Sequence, residues 1–107
     1  MDRHFQLDAV FEEHASNVDV YSGTLAPLIK QIKTGFNVTC FAYGMTGAGK
    51  THTMFGQRGE PGIANLVMKD LFMAQDSEVD ELSMQSKVTV SFLEIYNEQV
   101  KDLLSEQ

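Results

Sequence analysis

Residues 42–54 read AYGMTGAGKTHTM and hold three glycines and a lysine within thirteen positions. Glycine loses more conformational freedom on folding than any other residue, so this density indicates that something approaches the backbone too closely for side chains. Residues 44–51 fit the pattern G-x-x-x-x-G-K-[ST], a loop that binds phosphate between a strand and a helix. The predicted binding residues are Gly44, Met45, Thr46, Gly47, Ala48, Gly49, Lys50 and Thr51.

The chemistry of such a loop explains its composition. Successive backbone N–H groups turn inward toward the anion, and the glycines keep side chains out of the cradle. Lys50 is placed to reach the β and γ phosphates, and the Thr51 hydroxyl is placed to ligate Mg²⁺, a cation that prefers oxygen ligands. The alternative is a glycine-rich turn that binds nothing.

Segments on both sides of the loop supply the context that the pattern requires. Residues 38–43, before it, are β-branched and aromatic and apolar on both faces, which predicts a buried central strand of a parallel sheet. After the loop, Lys50 opens a predicted helix. Strand, loop and helix in this order favour phosphate binding over an empty turn.

Helix and strand signals alternate along the rest of the chain. A helix is predicted from a cap at Ser16 or Asn17 to Gly35, with a kink or restart at Pro27. Another helix covers residues 63–74, and strands are predicted at residues 88–96, near residues 100–104 and in a short stretch at residues 5–11. This order indicates the α/β class, with a phosphate-loop NTPase-like, mainly parallel sheet and flanking helices.

Composition restricts the classes of partner. The chain has 107 residues and a net charge of −7, which argues against a nucleic-acid binder because such proteins need a basic surface. The single Cys40 excludes a disulfide framework and predicts a buried free thiol in an intracellular protein. No signal peptide or membrane-spanning apolar run is found. The acidic residues 76–81 predict a solvated surface loop, with partner binding as the alternative.

Several longer motifs resemble the motor domain of kinesins. The segment GFNVTCFAYGMTGAGKTHTM is similar to the family's G-x-N-x-x-x-x-A-Y-G-x-T-G-x-G-K-T-x-T-M, and SFLEIYNEQVKDLL is similar to its later S-x-L-E-[IV]-Y-N-E-x-[IV]-x-D-L-L. FQLDAVF resembles the family's F-x-F-D-x-V-F opening, and VDVYSGTLAPLI resembles its first helix. RGEPGIANLVMKDLF is short where many kinesins carry a longer loop, and in this the chain looks most like the class-eight kinesins, which walk to microtubule plus ends and shorten them.

The resemblance implies ATP and Mg²⁺ as ligands of the loop and microtubules as the partner. Tyr21 and His52 match positions that pack near adenine in the family. The alternatives are a core contact for Tyr21 and an exposed first-turn position for His52. Glu94 follows an apolar strand and is the one formal candidate for a metal-binding carboxylate, but the resemblance assigns it to the L-E-I-Y-N-E strand. No catalytic residue is therefore predicted.

The resemblance also implies that residues 1–107 are a partial motor domain. The first core strand is expected before residue 1 and both switch loops after residue 107, so the sheet would be incomplete. The expected function is the ATP-binding part of a microtubule motor, located in the cytoplasm on microtubules or the spindle, with no membrane partner. The chain alone is not expected to be a competent motor. The alternatives are a non-catalytic interaction remnant and a different phosphate-loop NTPase or kinase.

Overall fold

The computed structural model describes residues 1–76 and 87–106. Of the predicted acidic surface loop, residues 77–81 lie outside this description. The elements in chain order are the helices α1 (Asn17–Thr24), α2 (Ala26–Lys33) and α3 (Lys50–Phe55), the strands β1 (Gly56–Gln57) and β2 (Glu60–Pro61), the helix α4 (Ile63–Asp76), and the strands β3 (Leu93–Tyr96) and β4 (Gln99–Asp102).

Local signals account for the break between α1 and α2. Ser16 caps α1 through a capping box with Asp19, and hydrogen bonds from the Ser16 N–H and hydroxyl hold the pKa of Asp19 below its ordinary value. α1 ends at Thr24 with Leu25 as its C-cap, and Pro27 lies in the first turn of α2, where its missing N–H costs little. The restart predicted at Pro27 is therefore confirmed, as are the helices that begin at Lys50 and Ile63.

The core lies where α1, α2 and the start of α4 meet. Four apolar side chains of the described residues are buried there, each less than a tenth exposed: Tyr21, Leu25, Ile29 and Ile63. Half-buried aliphatic side chains of the same helices surround them, among them Val20, Leu28, Leu66 and Leu71. This cluster fixes the two ends of the segment that carries the glycine loop, since α2 precedes that segment and α4 follows it.

The predicted central strand at residues 38–43 does not form a ladder. Among the described residues the only sheets are two antiparallel pairs, β1 with β2 and β3 with β4. No described strand lies beside residues 38–43, so Phe41 is 81% exposed and Tyr43 is 96% exposed. Cys40 is also exposed, which corrects the prediction of a buried thiol, and the stretch at residues 5–11 forms no strand.

The strands predicted at residues 88–96 and near residues 100–104 are found as the shorter β3 and β4, which pair as an antiparallel hairpin that the sequence did not predict. β3 starts at Leu93, and its register pairs Ile95 with Val100 and Tyr96 with Gln99. Asn97 and Glu98 between the strands both have positive φ, the conformation of the tight turn that suits the right-handed twist of a hairpin. Both strands are exposed along their length. No helix of the described residues is long and apolar enough to span a bilayer.

Candidate nucleotide-binding site

The glycine loop, defined here as residues 44–49, joins residues 38–43, which form no strand, to the first turn of α3. Gly47 has φ +82° and Gly49 has φ +101°, a left-handed conformation that side chains with a Cβ rarely adopt. The Ala48 N–H donates to the Met45 carbonyl at 3.1 Å, which closes a turn within the loop. The loop residues from Met45 to Gly49 are exposed, so an incoming ligand can reach their backbone.

Lys50 reaches back across this loop. Its Nζ donates to the Gly44 carbonyl oxygen at 2.6 Å, so the ammonium lies at the base of the loop. A Cβ on Gly44 would lie 3.2 Å from Cβ of Ala48, closer than most real Cβ contacts. Glycine at this position therefore lets the two sides of the loop approach each other. The arrangement gathers a positive charge and several backbone groups around one small exposed surface.

Thr51 and His52 follow on the first turn of α3, and both are exposed. His52 Nε2 lies 3.2 Å from Glu60 Oε2, so the imidazole pairs with a carboxylate of β2 when it is protonated. The structure thus places His52 beside the β1–β2 hairpin in a position that remains open to solvent. Among the described residues no group of three histidine, cysteine or acidic side chains could hold a metal ion.

The β1–β2 hairpin behind α3 is closed by two glycines. A Cβ on Gly56 would lie 2.2 Å from the Glu60 oxygen, and one on Gly62 would lie 2.4 Å from the Phe55 carbonyl carbon. Both clashes are with backbone atoms, which cannot move aside as a flexible side chain can. The backbone just after α3 and the backbone just before α4 are therefore in contact at these two glycines.

Asn17 is a part of this region that sequence reasoning treated only as a possible helix cap. Its Nδ2 donates to the His52 carbonyl at 2.9 Å and to the Pro61 carbonyl at 3.2 Å, and its N–H donates to Glu60 Oε1 at 3.3 Å. The partners lie 35 to 44 residues away in sequence, so no local pattern could have indicated them.

Tyr21 lies in the core described above and is 6% exposed. Its hydroxyl donates to Asp70 Oδ2 at 2.5 Å, which joins α1 to α4. Burial, then the hydrogen bond to Asp70 and the charge of that carboxylate raise the pKa of Tyr21 to about 12. This environment favours the core-contact alternative. Glu94 is an exposed residue of β3 opposite Lys101.

The model of the kinesin motor domain family matches residues 1–107. The chain is 45% identical over 104 residues to the mouse kinesin-like protein KIF18A, and 46% identical over 105 residues to the fission yeast kinesin-like protein 6. These alignments cover 97% and 96% of this chain but only 12% and 13% of the two relatives.

A solved structure supports the fold class. KIF14 with ADP, in complex with a microtubule, superposes with a TM-score of 0.66 at 36% identity, covering 91% of this chain and 28% of that one. The predicted α/β, phosphate-loop NTPase-like class is confirmed, and the family match excludes an unrelated kinase. The relatives also agree with the class-eight likeness. This chain belongs to the kinesin motor domain family.

Proposed function

We propose that this chain forms the ATP-binding part of a microtubule motor whose longer protein couples ATP hydrolysis to movement along microtubules. The observation that carries the proposal is the glycine loop, in which Lys50 closes on the Gly44 carbonyl inside a chain of kinesin motor sequence. The ADP and the microtubule in the KIF14 structure support both the ligand and the partner.

The bound phosphate would replace the hydrogen bond that Lys50 donates to the Gly44 carbonyl. Lys50 Nζ donates to Gly44 O at 2.6 Å, and a phosphate oxygen offers the same ammonium a charged acceptor. Hydrogen bonds between charged groups are about twice as strong as neutral ones. Backbone N–H groups of the glycine loop other than that of Ala48, which donates to the Met45 carbonyl, are the further proposed donors, and the positive φ of Gly47 and Gly49 turns the loop back on itself.

Mg²⁺ suits this site because the ion needs only one or two oxygen ligands from the protein. Thr51 presents an exposed hydroxyl next to Lys50, and the described residues offer no cluster of carboxylates or imidazoles nearby. Mg²⁺ dehydrates reluctantly and commonly binds through one or two protein oxygens together with substrate phosphates and water. Thr51 is therefore the proposed protein ligand, and the ion supplies charge neutralisation of the polyphosphate when bound.

Hydrolysis and movement are assigned to the longer protein. The one formal carboxylate candidate, Glu94, lies on the β3–β4 hairpin opposite Lys101, and the described residues hold no metal-binding group of three histidine, cysteine or acidic side chains. The chain itself is proposed to bind Mg-ATP without a motor-like ATPase rate. Its proposed setting is the microtubule cytoskeleton of the cytoplasm, including the spindle, and it is proposed to bind neither nucleic acid nor membrane.

Thermal unfolding with and without Mg-ATP tests the proposal. A ligand that binds only the folded state raises the midpoint, by about 2.7 kcal/mol of stability at a hundredfold excess over Kd. We expect this rise for the wild type and not for Lys50→Ala, with Lys69→Ala on the exposed face of α4 as the matched control. A cooperative transition that ignores ATP would favour the non-catalytic interaction remnant instead.

A further inference from the structure

One side chain, that of Asn17, makes polar contacts with both α3 and β2. Asn17 is 4% exposed and is the one buried polar residue among the described residues. It lies at the first position of α1, where the capping box of Ser16 and Asp19 fixes the backbone. A buried amide is stable only when its donors are paired, and both Nδ2 protons have carbonyl partners here.

The two carbonyl acceptors of the Asn17 amide lie before and after the β1–β2 turn, one in α3 and one in β2. The His52 carbonyl lies in α3 and also accepts the N–H of Gly56, which ends that helix. The Pro61 carbonyl lies in β2, immediately before Gly62. Glu60 completes the group, since one of its carboxylate oxygens accepts the Asn17 N–H and the other lies 3.2 Å from His52 Nε2. Asn17 therefore binds the third residue of the helix whose first residues are Lys50 and Thr51, together with the hairpin that follows this helix.

We infer that Asn17 is a positioning residue for nucleotide binding, which holds α3 so that Lys50 and Thr51 stay in place beneath the glycine loop. The inference rests on the proposed function for its consequence, but the contacts themselves do not depend on it. α3 has only six residues, so a hydrogen bond that holds His52, two positions after Lys50, limits how far the start of the helix can move. Asn17 acts through backbone carbonyls and not on the ligand.

The test compares Asn17→Asp, which keeps the shape but removes both Nδ2 donors, with Asn65→Asp, the same change at an exposed residue of α4. Asn17→Ala is the second variant, because it removes the donors without adding charge. Calorimetry gives Kd for Mg-ATP and for Mg-tripolyphosphate, well below the unfolding midpoint. We expect Kd to rise about tenfold in both Asn17 variants, the equivalent of about 1.4 kcal/mol, and equally for both ligands because the base is not involved.

Hydrogen exchange gives a readout that needs no nucleotide. The amides of Thr53 and Gly56 are bonded within α3, so they should exchange faster in both Asn17 variants, while amides of α2 keep their wild-type rates. Faster exchange at α3 with a raised Kd supports the inference. Unchanged exchange at α3, unchanged Kd, or loss of all folding in both variants would overturn it. If the wild type binds neither ligand, the proposed function fails, and exchange alone decides whether Asn17 holds α3.

Discussion

Removing the Tyr21 hydroxyl tests whether this side chain supports the core or binds the nucleotide. Tyr21→Phe keeps the ring, which is packed among Leu25, Ile29 and Ile63, and deletes only the hydrogen bond to Asp70. A hydrogen bond to a charged group contributes about 1.5–3 kcal/mol. Since Asp70 is only half-buried and can recover water, we take the lower end, about 1.5 kcal/mol.

The assay is urea and thermal unfolding at pH 7. For a domain of this size, about 1.5 kcal/mol lowers Tm by about 6–12 °C. Tyr96→Phe is the matched control, because Tyr96 is 76% exposed on β3, and it should leave Tm unchanged. Asp70→Asn and the double variant complete a cycle that isolates the coupling between the two side chains.

Alkaline pH supplies an independent check of the same bond. The pKa of Tyr21 is raised from 10.0 to about 12, so the folded state favours the neutral hydroxyl. The contribution of the Tyr21 hydroxyl to the free energy of unfolding is complete below pH 10 and is lost as the pH rises through about 12. The stability difference between wild type and Tyr21→Phe should therefore shrink over this window. A flat difference, no coupling to Asp70, or weaker ATP binding at unchanged stability would refute the core assignment.

Three further substitutions, two of them paired with a control substitution, test the packing that supports the site. Gly62→Ala should separate β1 from β2 and lower the free energy of unfolding by more than about 3 kcal/mol, because the new Cβ would meet only backbone atoms. The control Gly59→Ala lies in open space at positive φ and should lower it by only about 1 kcal/mol, as measured by urea unfolding. Ser16→Ala removes the N-cap of α1 and should cost about 1 kcal/mol, seen as a lower Tm; an unchanged Tm would contradict the cap. Ile63→Ala should cost about 2–5 kcal/mol, whereas Ile95→Ala, 75% exposed, should change the free energy of unfolding little.

The features that the sequence predicted well are those whose determinants lie close together along the chain. A cap at Ser16 with Asp19 three residues later, and Pro27 in a first turn, depend on neighbours within one helical turn. The glycine loop is likewise one continuous segment, so its pattern contained both the conformation and the lysine that closes it. Local chemistry was sufficient in each case.

Features that depend on distant partners were not predictable in the same way. The apolar pattern of residues 38–43 indicates that this segment can be buried, but a strand forms only when another strand supplies its hydrogen bonds. Helical spacing identified Tyr21 as an inward residue without revealing Asp70, 49 residues further on. Asn17 carried no signal beyond its preference for helix starts, because its acceptors become neighbours only after the hairpin closes.

The contact between Gly56 and Gly62 has a consequence for how this region tolerates changes in length. The contact fixes the exit from α3 and the entry to α4, whereas the turn at Gly59 projects into open space. Residues inserted at that turn would start in the open space around Gly59, and a longer loop costs little additional closure entropy. The segment between α3 and α4 can therefore be short, as in this chain, or longer without a change in the candidate site. This turn is also where a reporter group or an extra recognition element could be added to the chain without disturbing α3.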